Sequence, residues 1–166
     1  MHVRGRLVCR GGLQPEESLL KILVLHGPNL NLLGLREPGV YGSDTLDDIN
    51  AELDRTGKDM GIQITCRQSN LEGELVTWIQ EAKGTFEGLV INPGGYTHTS
   101  VAIRDALLAV GLPTVEVHMS NPHARESFRH RSLIEDIVIG RVSGFHKNSY
   151  VLGLQGLITA LRNQKN

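Results

Sequence analysis

An α/β domain built on an open sheet of five parallel strands, with helices on both faces, is the fold this sequence predicts, and three observations predict it. From Lys21 onward, short apolar runs rich in β-branched residues alternate with stripes of helical spacing. Parallel neighbours need a crossover of helix length between them, and the intervening segments have that length. Three of the runs also end in polar clusters: His26-Gly27-Pro28-Asn29-Leu30-Asn31, Asn92-Pro93-Gly94-Gly95-Tyr96-Thr97-His98 and His118-Met119-Ser120-Asn121. Residues just past the carboxyl ends of parallel strands gather around one crevice, so a single small-molecule site is implied.

Residues 1–20 read as a mobile N-terminal extension. Arg4, Arg6 and Arg10 give a basic start, but no apolar core of signal-peptide length follows, and Glu16 and Glu17 oppose a transit-peptide reading. Residues 21–166 then form one domain. Strands are expected over residues 22–25, 62–66, 88–92, 114–118 and 137–142, bounded by Gly, Pro or Asn. Leu46, Ile49 and Leu53 share one helix face, with Asp44 or Thr45 as its cap. Leu75, Ile79 and Ala82 mark a second helix. Ala102, Ile103, Ala106, Leu107 and Val110 mark a third, stopped by Gly111 and Pro113. The last runs from about Tyr150 through Leu154, Leu157, Ile158 and Leu161. Five strands so connected give a flavodoxin-like arrangement.

A chain of 166 residues fits one domain and can bury roughly two thirds of its unfolded surface. With 17 Lys and Arg against 18 Asp and Glu, it has no long-range field to attract nucleic acid or an anionic membrane. Cys9 and Cys66 alone make neither a disulfide framework nor a zinc spacing, which fits a reducing cytoplasm. No apolar run approaches the ~20 residues that cross a bilayer, so a soluble protein is expected.

Four segments carry the chemistry, and each fits a functional and a plain structural reading. The stretch Gly34 to Gly42 is long for a strand-to-helix link, so it reads either as a lid bringing Arg36 and Tyr41 over the crevice or as a surface loop. A guanidinium beside a phenol favours the phenolate, the form a general base needs. Asn92 to Ser100 sets an amide, a His and several hydroxyls at a helix start, suited to a hydroxylated or anionic ligand or to ordinary capping by Thr97, Thr99 or Ser100. Glu116 and His118 fall on one face of a strand end, as an oriented acid or as a structural pair. Arg129 sits in a charge-rich stretch, as an anion or hydroxyl donor or as a solvated cation.

Taken together, the segments resemble the type II 3-dehydroquinate dehydratases. The resemblance rests on Gly27-Pro28-Asn29-Leu30-Asn31-Leu32-Leu33-Gly34, on Arg36-Glu37-Pro38 with Tyr41-Gly42, and on Gln68-Ser69-Asn70 with Glu72-Gly73. It continues through Asn92-Pro93 with Tyr96-Thr97-His98-Thr99-Ser100, Glu116-Val117-His118 with Ser120-Asn121, and Arg125-Glu126 with Phe128-Arg129-His130. In order and spacing it covers residues from Lys21 to about Leu161.

That family implies a flavodoxin-like fold, trimers assembled into a homododecamer, and reversible dehydration of 3-dehydroquinate to 3-dehydroshikimate in the shikimate pathway, without metal or organic cofactor. It implies Tyr41 as the base, with Arg36 lowering its pKa, and a water near Asn29 stabilising the enolate. It implies His118 as the acid, oriented by Glu116. Asn92 and the amides of Met119 and Ser120 would hold the substrate carboxylate, His98 and Arg129 its ring hydroxyls, and Asp105 would reach the pocket of a neighbouring subunit. Three places depart from the pattern: Leu71 stands where many relatives carry His, His26 replaces a common Asn, and Phe145 to Tyr150 is unusual.

Three other classes fit the residues less well. A redox or nucleotide-binding module would suit the fold, but there is no Walker pattern, and Gly94-Gly95 is no dinucleotide fingerprint. A metal-dependent hydrolase on His98, Glu116, His118 and His123 lacks any close-spaced ligand motif, and a serine hydrolase lacks its Gly-x-Ser-x-Gly elbow.

Overall fold

The structure, a computed structural model, describes residues 19–34 and 43–164. Five strands form one parallel sheet: β1 (Leu20–His26), β2 (Ile62–Gln68), β3 (Gly88–Asn92), β4 (Thr114–His118) and β5 (Gly140–Ser143), in the order β2-β1-β3-β4-β5. Three helices join successive strands, α1 (Leu46–Met60), α2 (Glu72–Ala82) and α3 (Val101–Val110), β4 and β5 are linked through short 3-10 turns, and α4 (Asn148–Asn163) follows β5. This is the flavodoxin-like order, whose strand direction of travel reverses between β1 and β3 and opens a crevice at their carboxyl ends.

Alternation along the strands divides the core into two layers. Ile22, Val24, Val90, Val115 and Val117 pack with Leu53 of α1 and Leu154 and Ile158 of α4. Leu23, Leu25, Leu89 and Ile91 point the other way, onto Leu75 and Ile79 of α2 and Ile103 of α3. Strands covered on both faces have no polar side to show, so β1 and β3 are nearly continuous apolar runs.

Local signals explain most boundaries. Thr45, not Asp44, caps α1: its hydroxyl accepts from Asp48 N–H at 3.2 Å while the Asp48 carboxylate takes Thr45 N–H at 2.9 Å, a reciprocal capping box. Asp44 instead pairs with Lys147 Nζ at 2.7 Å, tying the start of α1 to the start of α4. β3 and β4 occupy the expected residues. β1 is longer than expected, since Leu20, assigned to the extension, is buried and pairs with Ile62. The rest of that extension, apart from Leu19, lies outside the described residues.

The last strand is a correction. Ile137 and Val138 are not in it: their N–H groups donate to the Ile134 carbonyl at 3.1 and 3.2 Å, forming a turn whose side chains pack onto the layer of α2 and α3. β-branched residues were used there to fill the core, and pairing with β4 begins only at Gly140.

Candidate active site

The three polar clusters do converge. A cavity of about 220 Å³ at the β1/β3 reversal is lined by Asn29, Asn92, His98, His118, Met119, Ser120 and Arg129, together with Arg125 and the backbone of Gly94 and Gly95. The wall after β1 depends on a close backbone approach. Gly27 donates its N–H to the Asn92 carbonyl at 2.8 Å, and a Cβ there would sit 2.5 Å from the Pro93 oxygen. Two residues on, Asn29 adopts a left-handed conformation with φ 67°, a region Asn tolerates better than most residues, and its N–H donates to Asn70 Oδ1 at 2.8 Å.

At the end of β4, alternation puts Glu116 and His118 on one face, as expected, and that face is the side of α3. His118 Nε2 lies 2.6 Å from Glu116 Oε1, with the carboxylate fully buried. Thr97 Oγ1 and Ser132 Oγ also donate to that carboxylate, and the Arg141 guanidinium stands 3.7 Å away. Burial alone would raise the Glu116 pKa, but the bond and charge of His118, the Thr97 hydroxyl and the Arg141 charge outweigh it, and the net direction is downward. An ionised Glu116 holding Nε2–H leaves Nδ1 as the ring nitrogen free for a pocket ligand.

His98 is fixed by its Nδ1–H donating to the Arg131 carbonyl at 2.7 Å. Burial is the largest influence on it and lowers its pKa, seconded by the charges of His118 and Arg129, so the ring is a neutral hydrogen-bonding group near pH 7. Arg129 Nε donates to Glu126 Oε2 at 2.7 Å, and its guanidinium lies over the Phe128 ring. Asn92, the last residue of β3, has its amide between Tyr150 and the Gly94 N–H.

Asp105 is not a wall of this cavity: it is exposed on α3. Arg36 and Tyr41 lie outside the described residues. Among those described, no group of His, Cys, Asp and Glu is arranged to hold a metal ion, and no helix is long and apolar enough to cross a membrane.

Several residues here carried no usable local signal. Thr97 was a cap candidate, yet it serves Glu116 while Ser100 caps α3 by accepting from Ile103 N–H at 2.9 Å. Ser132 lies in an irregular loop with no motif. Arg141 is the register partner of Glu116 across β4 and β5, a pairing that the misplaced fifth strand concealed.

A family model described as dehydroquinase class II matches residues 20–158. The chain belongs to this family. It is 57% identical over 143 residues to the 3-dehydroquinate dehydratase of Geotalea daltonii, covering 86% of this chain and 99% of that protein. Over 143 residues it is 60% identical to the protein of the same name from Acaryochloris marina, covering 86% and 96%. Among solved structures it is similar to the type II dehydroquinase from Butyrivibrio crossotus, with a TM-score of 0.83 and 43% identity over 85% of this chain and 99% of that one. The type II dehydroquinase from Propionibacterium acnes gives 0.81 and 42%, covering 86% and 99%. The class II dehydroquinases thus supply the fold that the sheet order independently describes.

Proposed function

We propose that this chain dehydrates 3-dehydroquinate to 3-dehydroshikimate and water, in the shikimate pathway, by anti elimination through an enolate. The observation that carries the reading is the buried Glu116–His118 pair, 2.6 Å apart, on the wall of a cavity also lined by Asn29, Asn92, His98 and Arg129. A hydroxylated carboxylic acid needs that mixture: an acid for a leaving hydroxyl, and donors for a carboxylate and ring hydroxyls.

In this mechanism the Tyr41 phenolate, favoured by Arg36, removes the proton next to the ketone. The electron pair moves onto the carbonyl oxygen as an enolate, and a water held at Asn29 donates to that oxygen as its charge develops. The enolate then re-forms the ketone and expels the β-hydroxyl. His118 gives this group its proton, so that water leaves and the new double bond is conjugated with the ketone. Glu116 keeps the imidazole oriented while it loses and regains that proton. Asn92 and the amides of Met119 and Ser120 hold the carboxylate; His98 and Arg129 hold ring hydroxyls. The C–H bond is broken by the base and the C–O bond with help from the acid, and the proposed mechanism uses no metal or organic cofactor. The active form is a homododecamer of trimers in the cytoplasm, with Asp105 reaching the cavity of a neighbouring subunit.

The test is to add 3-dehydroquinate to purified, metal-stripped protein and follow the ultraviolet absorbance of the conjugated enone, with and without borohydride pretreatment. Growth of the signal in both samples is expected. A folded protein that gives none would overturn the reading, and loss of the signal only after borohydride would indicate a lysine Schiff base instead.

A further inference from the structure

Behind the cavity wall, on the face of the sheet opposite the acid pair, runs a buried chain of polar side chains of which the mechanism uses only Asn92. His26 and Asn92 are register partners at the ends of β1 and β3, and alternation turns both toward α4. There they meet one hydroxyl: Tyr150 Oη is 2.8 Å from His26 Nδ1 and 3.0 Å from Asn92 Nδ2. Tyr150 and His26 are fully buried, and Asn92 nearly so. The far side of the imidazole, Nε2, is 2.9 Å from Asn50 Oδ1 on α1.

With the Asn50 oxygen facing Nε2, donors and acceptors along this chain fit in one direction. The Asn50 carbonyl oxygen can only accept, so Nε2 carries the ring hydrogen and Nδ1 is bare. Tyr150 therefore gives its single O–H to Nδ1 and has only lone pairs left for Asn92. Asn92 must turn its NH2 toward Tyr150, which leaves its oxygen to accept the Gly94 N–H at 3.2 Å. In the flipped amide, oxygen would face the Tyr150 oxygen and NH2 would face the Gly94 N–H, two repulsive contacts in a buried place. Desolvation by burial lowers the His26 pKa to about 4 and raises that of Tyr150, so neither changes protonation near pH 7 and the direction of the chain holds.

We propose that Tyr150, itself anchored by His26, is a positioning residue for substrate: it locks the Asn92 amide so that an N–H, and not the carbonyl oxygen, is presented to the carboxylate of the bound acid. This rests on the role given to Asn92 under the proposed function. It also accounts for a polar trio inside an otherwise apolar layer, which burial alone would disfavour.

Tyr150→Phe deletes only the hydroxyl and keeps the ring that fills the core. Its Asn92 amide keeps only the longer bond from the Gly94 N–H and loses the one that fixes its NH2, so the KM for 3-dehydroquinate should rise on the order of tenfold while kcat stays within about twofold, the pattern of lost ground-state binding. Asn92→Ala should raise KM at least as much, and adding Tyr150→Phe to it should change KM little, because the hydroxyl acts through the amide. His26→Asn should stay near the parent KM, since an amide oxygen can accept from Tyr150 where Nδ1 did. His26→Leu removes that acceptor and should behave like Tyr150→Phe. Near-ultraviolet circular dichroism reports that each variant is folded. An unchanged KM in folded Tyr150→Phe beside a raised one in Asn92→Ala, or full additivity of the two, overturns this inference alone. An unchanged KM in Asn92→Ala overturns the role of Asn92 and this inference with it.

Discussion

At the scale of single residues, the two imidazoles nearest the strand ends have opposite assignments, and each makes a prediction. His118 is open to the cavity and coupled to an ionised Glu116. His118→Ala should slow dehydration on the order of a hundred- to ten-thousand-fold. Exchange of the proton next to the ketone with deuterated solvent should persist, because the proposed mechanism gives that step to Tyr41; loss of exchange would break the division between base and acid. His26 is sealed in the core with its pKa lowered from 6.5 to about 4 by burial. Between those values the unfolded chain binds a proton that the folded chain refuses, so stability is complete above the upper value and falls as pH drops toward the lower. The loss from this group reaches about 3 kcal/mol. Denaturant midpoints from about pH 7 to about pH 4.5 should fall more steeply for the parent than for His26→Asn. The Glu116–His118 pair was legible from alternation, because it needs only neighbours in sequence. The bond between Tyr150 and Asn92 was not: it spans 58 residues and is made only when α4 lies on the sheet.

Among elements, β3 and β4 were read without error: β3 is a short apolar run sealed on both faces, and β4, which alternates valines with Glu116 and His118, has sharp ends at Pro113 and at the polar cluster after His118. β5 was misread because Ile137 and Val138 have the composition of a strand and the position of a core-filling turn. The carboxyl ends of β1 and β3 make a further prediction. Gly27 places a Cα against the Pro93 carbonyl, with 2.5 Å left for any Cβ, and the obstacle is backbone. Gly27→Ala must push the two strand ends apart, and we expect a loss of about 1 to 3 kcal/mol in denaturant melts. KM should rise with it, since Asn29 and Asn92 lie just beyond the strained contact. A variant as stable and as tight-binding as the parent would mean the two ends separate freely.

For the molecule as a whole, one proposed site residue lies away from the cavity of its own subunit. Asp105 is exposed on α3, and on the same helical face stand Val101 and Leu108, 58% and 54% exposed, an apolar surround unusual for a solvated carboxylate. If that face docks on a second copy, two defective chains should repair each other. Asp105→Ala and His118→Ala homo-oligomers should each be slow, and dissociating, mixing and reassembling them should restore turnover at sites that combine the intact Asp105 of one chain with the intact His118 of the other. No gain on mixing would place Asp105 outside the active site.

The sheet that builds the crevice also insulates its two halves. Asn92 is governed from the layer of α1 and α4, through Tyr150 and His26, whereas His118 is governed from the layer of α3, through Glu116, Thr97 and Ser132. On the proposed roles, the hold of Asn92 on the substrate and the delivery of the proton by His118 are therefore set on opposite faces of the sheet, with a wall of aliphatic side chains between them. An engineer could then retune the hold of Asn92 by repacking behind α4 and leave the proton-delivery machinery behind α3 alone.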